Sequence, residues 1–145
     1  MTTKPDLAAI VPEFTWPVRI YYEDTDAAGV VYHGNYLKYM ERARTEWLRA
    51  TGFSHDMLRE KEGIVFVVTD MTISFQKPAT MDEHLQVMVK LVKTGNARLY
   101  FEQSIINEAD ELICSADVCV ACLDADTLKP KRIPNPIKVE LTHVN

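Results

Sequence analysis

Four strand-like segments follow one another through the second half of the chain, with only short connections between them. Apolar and polar residues alternate, or β-branched and aromatic residues cluster, in the segments 67–76, 84–91, 98–107 and 111–123. Consecutive strands with tight connections run in opposite directions, so the pattern predicts an antiparallel sheet. The aromatic and β-branched segment 16–22 is predicted to supply a fifth strand.

A single segment has the length and spacing of a long helix. Apolar side chains recur every three or four residues between Tyr36 and Ala50, and charged residues fill most of the other positions. This spacing is typical of a helix with one wide buried face. Asn35 is predicted to cap the helix, and Gly52 to end it. Because one face of the sheet must be covered, we predict an α+β fold in which a five-stranded antiparallel sheet wraps around one long central helix.

The chain has the size and composition of one domain. Its 145 residues are 47% hydrophobic and 26% charged, as in ordinary globular proteins. We assign residues 15–145 to this domain and residues 1–14, which include two prolines, to an N-terminal tail. Two shorter helices are predicted, one over 54–62 with Ser54 as its cap and one after Pro136.

The net charge and the positions of the cysteines argue against several classes of function. The net charge of -5 disfavours general nucleic-acid binding. The sequence has neither a secretory leader nor an apolar run that could span a membrane, so a cytoplasmic protein is expected. Cys119 and Cys122 have the spacing of a metal or redox pair, but side chains three apart on a strand point to opposite faces. We therefore interpret them, and Cys114, as ordinary thiols.

The loop before the long helix carries the residues best suited to catalysis. Asp24, Asp26 and His33 all lie between the first strand and the helix. A carboxylate can act as a general base or as a nucleophile. The first amides of a helix are unsatisfied donors with a partial positive charge, and such donors stabilise a carbonyl oxygen that becomes negative. A base and an oxyanion-binding group are the two main parts of a hydrolytic site.

The run from Asp24 to Tyr36, DTDAAGVVYHGNY, is followed by ERAR at 41–44. It resembles the hot-dog-fold acyl-CoA thioesterases of the 4-hydroxybenzoyl-CoA thioesterase class, and most closely the YbgC-type members associated with the Tol–Pal system. The similarity extends from Trp16 to about Ile133. It implies thioester hydrolysis without a metal and without a cofactor, since CoA is part of the substrate.

The resemblance also implies residue roles. Asp26 is the expected catalytic carboxylate, which attacks the thioester carbonyl directly or activates a water molecule. The backbone amides of His33 and Gly34 are expected to hold the thioester oxygen. The His33 side chain could orient Asp26, assist the leaving thiolate or simply pack against its neighbours.

Substrate contacts are expected near the helix start and, for the CoA phosphates, at basic residues of the later turns. An acyl-CoA is the implied substrate, and the phosphopantetheine arm of an acyl carrier protein could use the same channel. The resemblance further implies a homodimer or homotetramer, with the active site near the dimer interface. The expected substrate-binding residues are Tyr32, Asn35, Lys93, Asn96, Arg98, Lys131 and Arg132.

Several alternatives remain open at this point. Asp24 and Asp26 could be turn residues that make local hydrogen bonds, and Glu41 could be the acid of a different hot-dog branch. A metal site formed by Glu23, the two aspartates and His33 is chemically conceivable. The aromatic residues of the helix could line an acyl pocket or belong to the core. The rival functions are an enoyl-thioester hydratase and a non-catalytic acyl-CoA or acyl-carrier-protein scaffold of the cell envelope machinery.

Overall fold

A computed structural model describes residues 14–143. The predicted tail therefore lies outside the described residues except for Phe14, where the first strand begins. Five strands form a single antiparallel sheet in the order β1-β3-β4-β5-β2. They are β1 (Phe14–Arg19), β2 (Ile64–Phe75), β3 (His84–Thr94), β4 (Arg98–Ile106) and β5 (Leu112–Asp124). The helices are α1 (Gly34–Ala50), α2 (His55–Met57) with a wider helical turn over Leu58–Glu62, and α3 (Asn135–His143).

The sheet curls around α1, as the α+β prediction required. The apolar side chains of the helix lie on one face, and Met40 and Ala43 are fully buried. They join the sheet residues Val87 and Ile105 in a single core. Burying each large apolar side chain stabilises the fold by roughly 1.5–3 kcal/mol, so this face fixes the helix against the sheet.

Most predicted elements are present, with shifted ends. Ser54 caps the segment after α1, where its hydroxyl accepts a hydrogen bond from the Met57 amide at 3.2 Å. The prediction that Asn35 caps α1 is wrong, because the helix begins one residue earlier, at Gly34. The terminal helix is also present as α3. None of the helices that the structure describes is long and apolar enough to cross a membrane.

The two edges of the sheet differ in length. β1 is a six-residue edge strand, whereas β2 has twelve residues and pairs only with β5 among the described strands. Val67 and Val68 on β2 are 37% and 45% exposed. A long unpaired edge with exposed apolar side chains favours pairing with another chain.

Candidate active site

The connection from β1 to α1 folds into a tight hairpin around Asp26. The Asp26 amide donates to the Val30 carbonyl and the Gly29 amide donates to the Asp26 carbonyl, both at 2.9 Å. Gly29 has a φ of +82°, a conformation that strongly favours glycine. The hairpin is anchored to the sheet connection by a hydrogen bond of 2.8 Å from the Val31 amide to the Ala79 carbonyl.

The Asp26 side chain is exposed at the tip of this hairpin. Its Oδ1 accepts a hydrogen bond of 2.9 Å from the Ala28 amide, which is the local turn interaction considered above. Its Oδ2 accepts no hydrogen bond from any residue in the range 14–143. One oxygen therefore orients the carboxylate, while the other remains available for chemistry.

Asp24 is occupied by structural contacts instead. Its Oδ2 accepts from the Tyr21 amide at 2.8 Å, and its backbone carbonyl accepts from the Tyr32 amide and from Asn35 Nδ2, each at 2.9 Å. Asn35 thus fixes the loop to the first turn of α1 rather than capping the helix. The buried Tyr39 hydroxyl makes no hydrogen bond within the described residues. Its burial, together with the nearby Asp24 carboxylate, raises the pKa of Tyr39.

The start of α1 leaves free amide donors. His33 precedes the helix with helical dihedral angles (φ -58°, ψ -29°), and its side chain makes no cap. Among residues 14–143, no group accepts a hydrogen bond from the amides of His33 or Gly34, whereas the next amide, of Asn35, donates to the Tyr32 carbonyl. These free donors lie at the positive end of the helix dipole, so they favour a negative or polarised oxygen.

Asp26 and the start of α1 open into the same cavity, of about 330 Å³. The structure thus brings together the two predicted parts of the site, and it adds residues from the segment after β2. The His33 ring packs between Tyr32 and Phe75, at centroid distances of 4.7 and 6.0 Å. The lining residues are Asp26, Val30, Val31, His33, Tyr36, Phe75, Gln76, Lys77 and Pro78.

The cavity residues 75–78, which include the cation Lys77, were not predicted from the sequence. Lys77 Nζ lies 3.2 Å from Glu111 Oε1. Hydrogen bonds from Asn107 and then from Lys77 hold the pKa of Glu111 below its usual value. The only signal in the sequence was Pro78, which ends the predicted strand. Nothing local indicated that the strand would end beside His33.

The predicted phosphate-binding residues lie far from this cavity within one chain. The 2.8 Å hydrogen bond from the Ile133 amide to the Asn96 carbonyl brings the β3–β4 turn together with the exposed Arg132. β2 begins just after Glu62, whose carbonyl Lys131 contacts, and ends at Phe75 in the cavity wall, eleven residue steps of about 3.3 Å further along the strand. The basic region and the cavity therefore occupy opposite ends of the sheet.

Several of these basic residues already have partners at their own end of the sheet. Lys93 Nζ lies 5.2 Å from the centre of the Tyr100 ring. Arg98 Nη1 contacts Thr69 Oγ1 at 3.4 Å. Lys131 Nζ contacts the Glu62 carbonyl at 3.4 Å. The contacts of Arg98 and Lys131 are long and exposed to solvent.

The remaining chemical candidates have structural roles. Cys114 and Cys122 are buried free thiols, and burial raises the pKa of Cys122 to about 11. Trp47 packs edge-to-face on Phe101 at 5.1 Å, within the core. Across residues 14–143, no three His, Cys, Asp or Glu side chains are grouped so that they could hold a metal ion.

Comparison with known proteins places the whole described domain in one family. The thioesterase-like superfamily profile matches residues 21–141. The acyl-CoA thioester hydrolase YbgC of Escherichia coli O6:H1 is 43% identical over 127 residues, which cover 88% of this chain and 94% of that protein. The acyl-CoA thioesterase YbgC of Haemophilus influenzae is 40% identical over 131 residues, covering 90% and 96%.

A solved structure gives the same result for the fold. The DHNA-CoA thioesterase of Staphylococcus aureus superposes with a TM-score of 0.81 at 31% identity, over 89% of this chain and 87% of that one. The sequence matches and the structural superposition thus point to the same family. The chain therefore belongs to the thioesterase-like superfamily and is a hot-dog-fold thioester hydrolase of the YbgC type.

Proposed function

We propose that the protein hydrolyses acyl-CoA thioesters to the free acid and CoA, with Asp26 as the reactive carboxylate. The observation that supports this most is that Asp26 and His33 line one cavity, and that the amides of His33 and of the next residue, Gly34, donate to no group among residues 14–143. The thioester carbonyl oxygen accepts hydrogen bonds from these amides, which stabilise the negative charge of the tetrahedral intermediate. The two relatives named YbgC are acyl-CoA hydrolases by name, in agreement with this reaction.

Two routes remain compatible with this arrangement. In the first, Asp26 takes a proton from water as the water oxygen bonds to the carbonyl carbon, and the carbon–sulfur bond then breaks. The proton passes to the departing thiolate. In the second, an Asp26 oxygen attacks the carbonyl and expels the thiolate, and water then hydrolyses the mixed anhydride. In both routes His33 lies beside the reacting atoms, where it could orient the carboxylate or assist the leaving sulfur.

The CoA phosphates are bound by a second copy of the chain. Within one chain the basic residues lie at the end of the sheet where β2 begins, and the cavity lies where β2 ends. Two β2 edges paired about a two-fold axis would place the Ile64 end of one copy beside the Phe75 end of the other. This arrangement would carry Arg98 and Lys131 of the second copy towards the first copy's cavity.

We expect the protein to form a homodimer or homotetramer through this edge. Sedimentation or light scattering should give a single species at two or four times the 16.6 kDa chain mass. Replacing Val68 by lysine should weaken the assembly, because a charge on an edge strand opposes pairing. Val92→Lys, at a residue of similar exposure on β3, which β4 and β5 separate from β2 in the sheet, should not. A monomer at micromolar concentration would contradict this proposal.

Thiol release from a panel of acyl-CoAs tests the activity itself. We expect saturable hydrolysis of at least one aliphatic or aromatic acyl-CoA, in the presence or absence of EDTA. The same acyl groups on acyl carrier protein test the second possible substrate. Binding without thiol release across the panel would favour the scaffold role instead. We infer a cytoplasmic location from the three free thiols, and an association with the Tol–Pal system from the resemblance alone.

A further inference from the structure

One buried residue, Ala79, links the two halves of the candidate site. Its amide donates a hydrogen bond of 3.0 Å to the Tyr36 hydroxyl, and its carbonyl accepts one of 2.8 Å from the Val31 amide. Tyr36 lies in the first turn of α1, just after Gly34, and Val31 ends the hairpin that carries Asp26. The helix that presents the free amides and the hairpin that presents the carboxylate are therefore joined through a single residue.

Water cannot replace the hydrogen bond between Tyr36 and Ala79. Tyr36 is 3% exposed, and Ala79 is fully buried. A buried amide that loses its acceptor bears the full cost of its removal from water. Loss of the hydroxyl is therefore expected to shift the backbone at Ala79 towards another acceptor, and the hydrogen bond to Val31 would move with it.

The hydroxyl of Tyr36 has a role that is separate from that of its ring. The ring packs against Tyr39 and Phe75, at centroid distances of 6.2 and 5.9 Å. Phenylalanine at this position would keep both contacts, so the packing of the core does not require the hydroxyl. What the hydroxyl adds is the acceptor for Ala79, 43 residues further along the chain.

The loop is attached to α1 on both sides of Asp26. Before Asp26, the Asp24 carbonyl accepts a hydrogen bond of 2.9 Å from Asn35 Nδ2. After it, Val31 is attached through Ala79. The two attachments together set where the carboxylate lies relative to the helix amides. Reacting groups need to lie within about 3–3.5 Å of each other, and a misplacement of about 1 Å can lower a rate about a hundredfold.

We propose that Tyr36 is a positioning residue for thioester hydrolysis. Its hydroxyl, acting through Ala79, holds the Asp26 hairpin at the correct distance from the amides at the start of α1. In neither route does the hydroxyl take up a proton or form a covalent bond. This assignment rests on the proposed function, since it concerns the same carboxylate and the same amides.

Tyr36→Phe tests the hydroxyl alone. We expect kcat for a hydrolysed acyl-CoA to fall about tenfold, with KM changed less than about threefold, because placement of the reacting groups affects the transition state more than substrate binding. Tyr39→Phe is the matched control, since it makes the same change one turn later, at a buried hydroxyl that has no hydrogen-bond partner within residues 14–143. The control should keep the parent kcat. A Tyr36→Phe variant with the parent kcat would overturn the proposal.

A double variant separates positioning from a general loss of stability. In the Asp26→Asn background the positioned side chain no longer reacts, so adding Tyr36→Phe should lower the residual rate less than about twofold. A merely structural role would lower this rate by the same factor as in the parent protein, and that result would contradict the assignment.

An ester in place of the Pro78–Ala79 peptide bond removes the same hydrogen bond but keeps the tyrosine. It should reproduce the kcat of Tyr36→Phe, and it replaces that variant if the phenylalanine protein does not fold. An ester protein with the parent kcat would show that the link through Ala79 does not position the site.

Hydrogen exchange of the Val31 amide tests the link in the absence of substrate. We expect this amide to exchange about tenfold faster in Tyr36→Phe and at the parent rate in Tyr39→Phe, while the amides of the central strand β4 change little in either. Unchanged protection of Val31 in Tyr36→Phe would overturn the proposal. If the parent protein releases no thiol from any acyl-CoA, the proposed hydrolysis is refuted, and the exchange of Val31 still decides whether Tyr36 holds the hairpin.

Discussion

Asp26→Asn is expected to lower the turnover of an acyl-CoA at least about a hundredfold without altering the fold or the assembly, in line with general-base contributions. Asparagine keeps an oxygen that can accept the 2.9 Å hydrogen bond from the Ala28 amide, so the hairpin should persist. It cannot accept a proton from water, and it is a poor nucleophile. Because Asp26 is exposed, its replacement removes no packing from the core.

Asp24→Asn is the matched control, since it makes the same chemical change two residues away. Its carboxylate accepts a hydrogen bond from the Tyr21 amide at 2.8 Å, and Asp24 is not among the residues that line the cavity. We expect a small change in the melting temperature and a change of only a few-fold in kcat. Thiol release under saturating substrate gives kcat for both variants, and circular dichroism verifies the fold. If Asp26→Asn hydrolyses acyl-CoA at the parent rate, Asp26 has no part in the mechanism.

His33→Ala separates the side chain from the backbone at the same position. The substitution keeps the amide donor and removes the ring that packs between Tyr32 and Phe75. It should lower kcat less than Asp26→Asn does, so the two variants together separate the role of the imidazole from that of the carboxylate. A loss as large as that of Asp26→Asn would assign the imidazole an essential proton transfer.

The elements that could be predicted from the sequence are those in which the spacing of apolar residues along the chain matches the pattern of buried residues in the structure. Leu85, Val87 and Val89 alternate with more exposed residues along β3, and all three are buried in the structure. The helical period from Tyr36 to Trp47 likewise matches the buried face of α1. These patterns are local consequences of strand and helix geometry, so one sequence is enough to read them.

The parts that could not be predicted depend on contacts between distant segments. Asn35 is a good capping residue by local preference, but a hydrogen bond to the Asp24 carbonyl, eleven residues earlier, uses its side chain. Phe75 and Lys77 reach the cavity only because β2 pairs with β5 in one register, with Phe75 opposite Cys114. No motif near these residues signals that pairing. The resemblance pointed to Asp26 and to the start of α1. The residues on the opposite wall of the cavity could be found only once the fold was known.

Removing the Gly34 amide donor is expected to reduce kcat by about a hundredfold to a thousandfold, the usual cost of losing one oxyanion-binding group. A side-chain substitution would not test this cleanly, because a Cβ at Gly34 would lie 2.7 Å from the Tyr32 ring. Replacing the His33–Gly34 peptide bond by an ester exchanges the N–H for oxygen and adds no atom to the side chain. KM should change less than kcat, since the donor acts most strongly on the charged intermediate.

An ester at Lys38 is the appropriate control for the ester at Gly34. The Lys38 amide lies within α1, where it donates to the helix itself, so its loss should lower stability but not the rate. Both esters also weaken the preceding carbonyl as an acceptor, and the comparison therefore isolates the free donor at the helix start. Equal rates for the two esters would mean that the thioester oxygen is stabilised elsewhere. A selective loss at position 34 would instead place that oxygen at the positive end of α1, because both exchanges weaken the preceding carbonyl and only the one at Gly34 removes a donor that has no acceptor among residues 14–143.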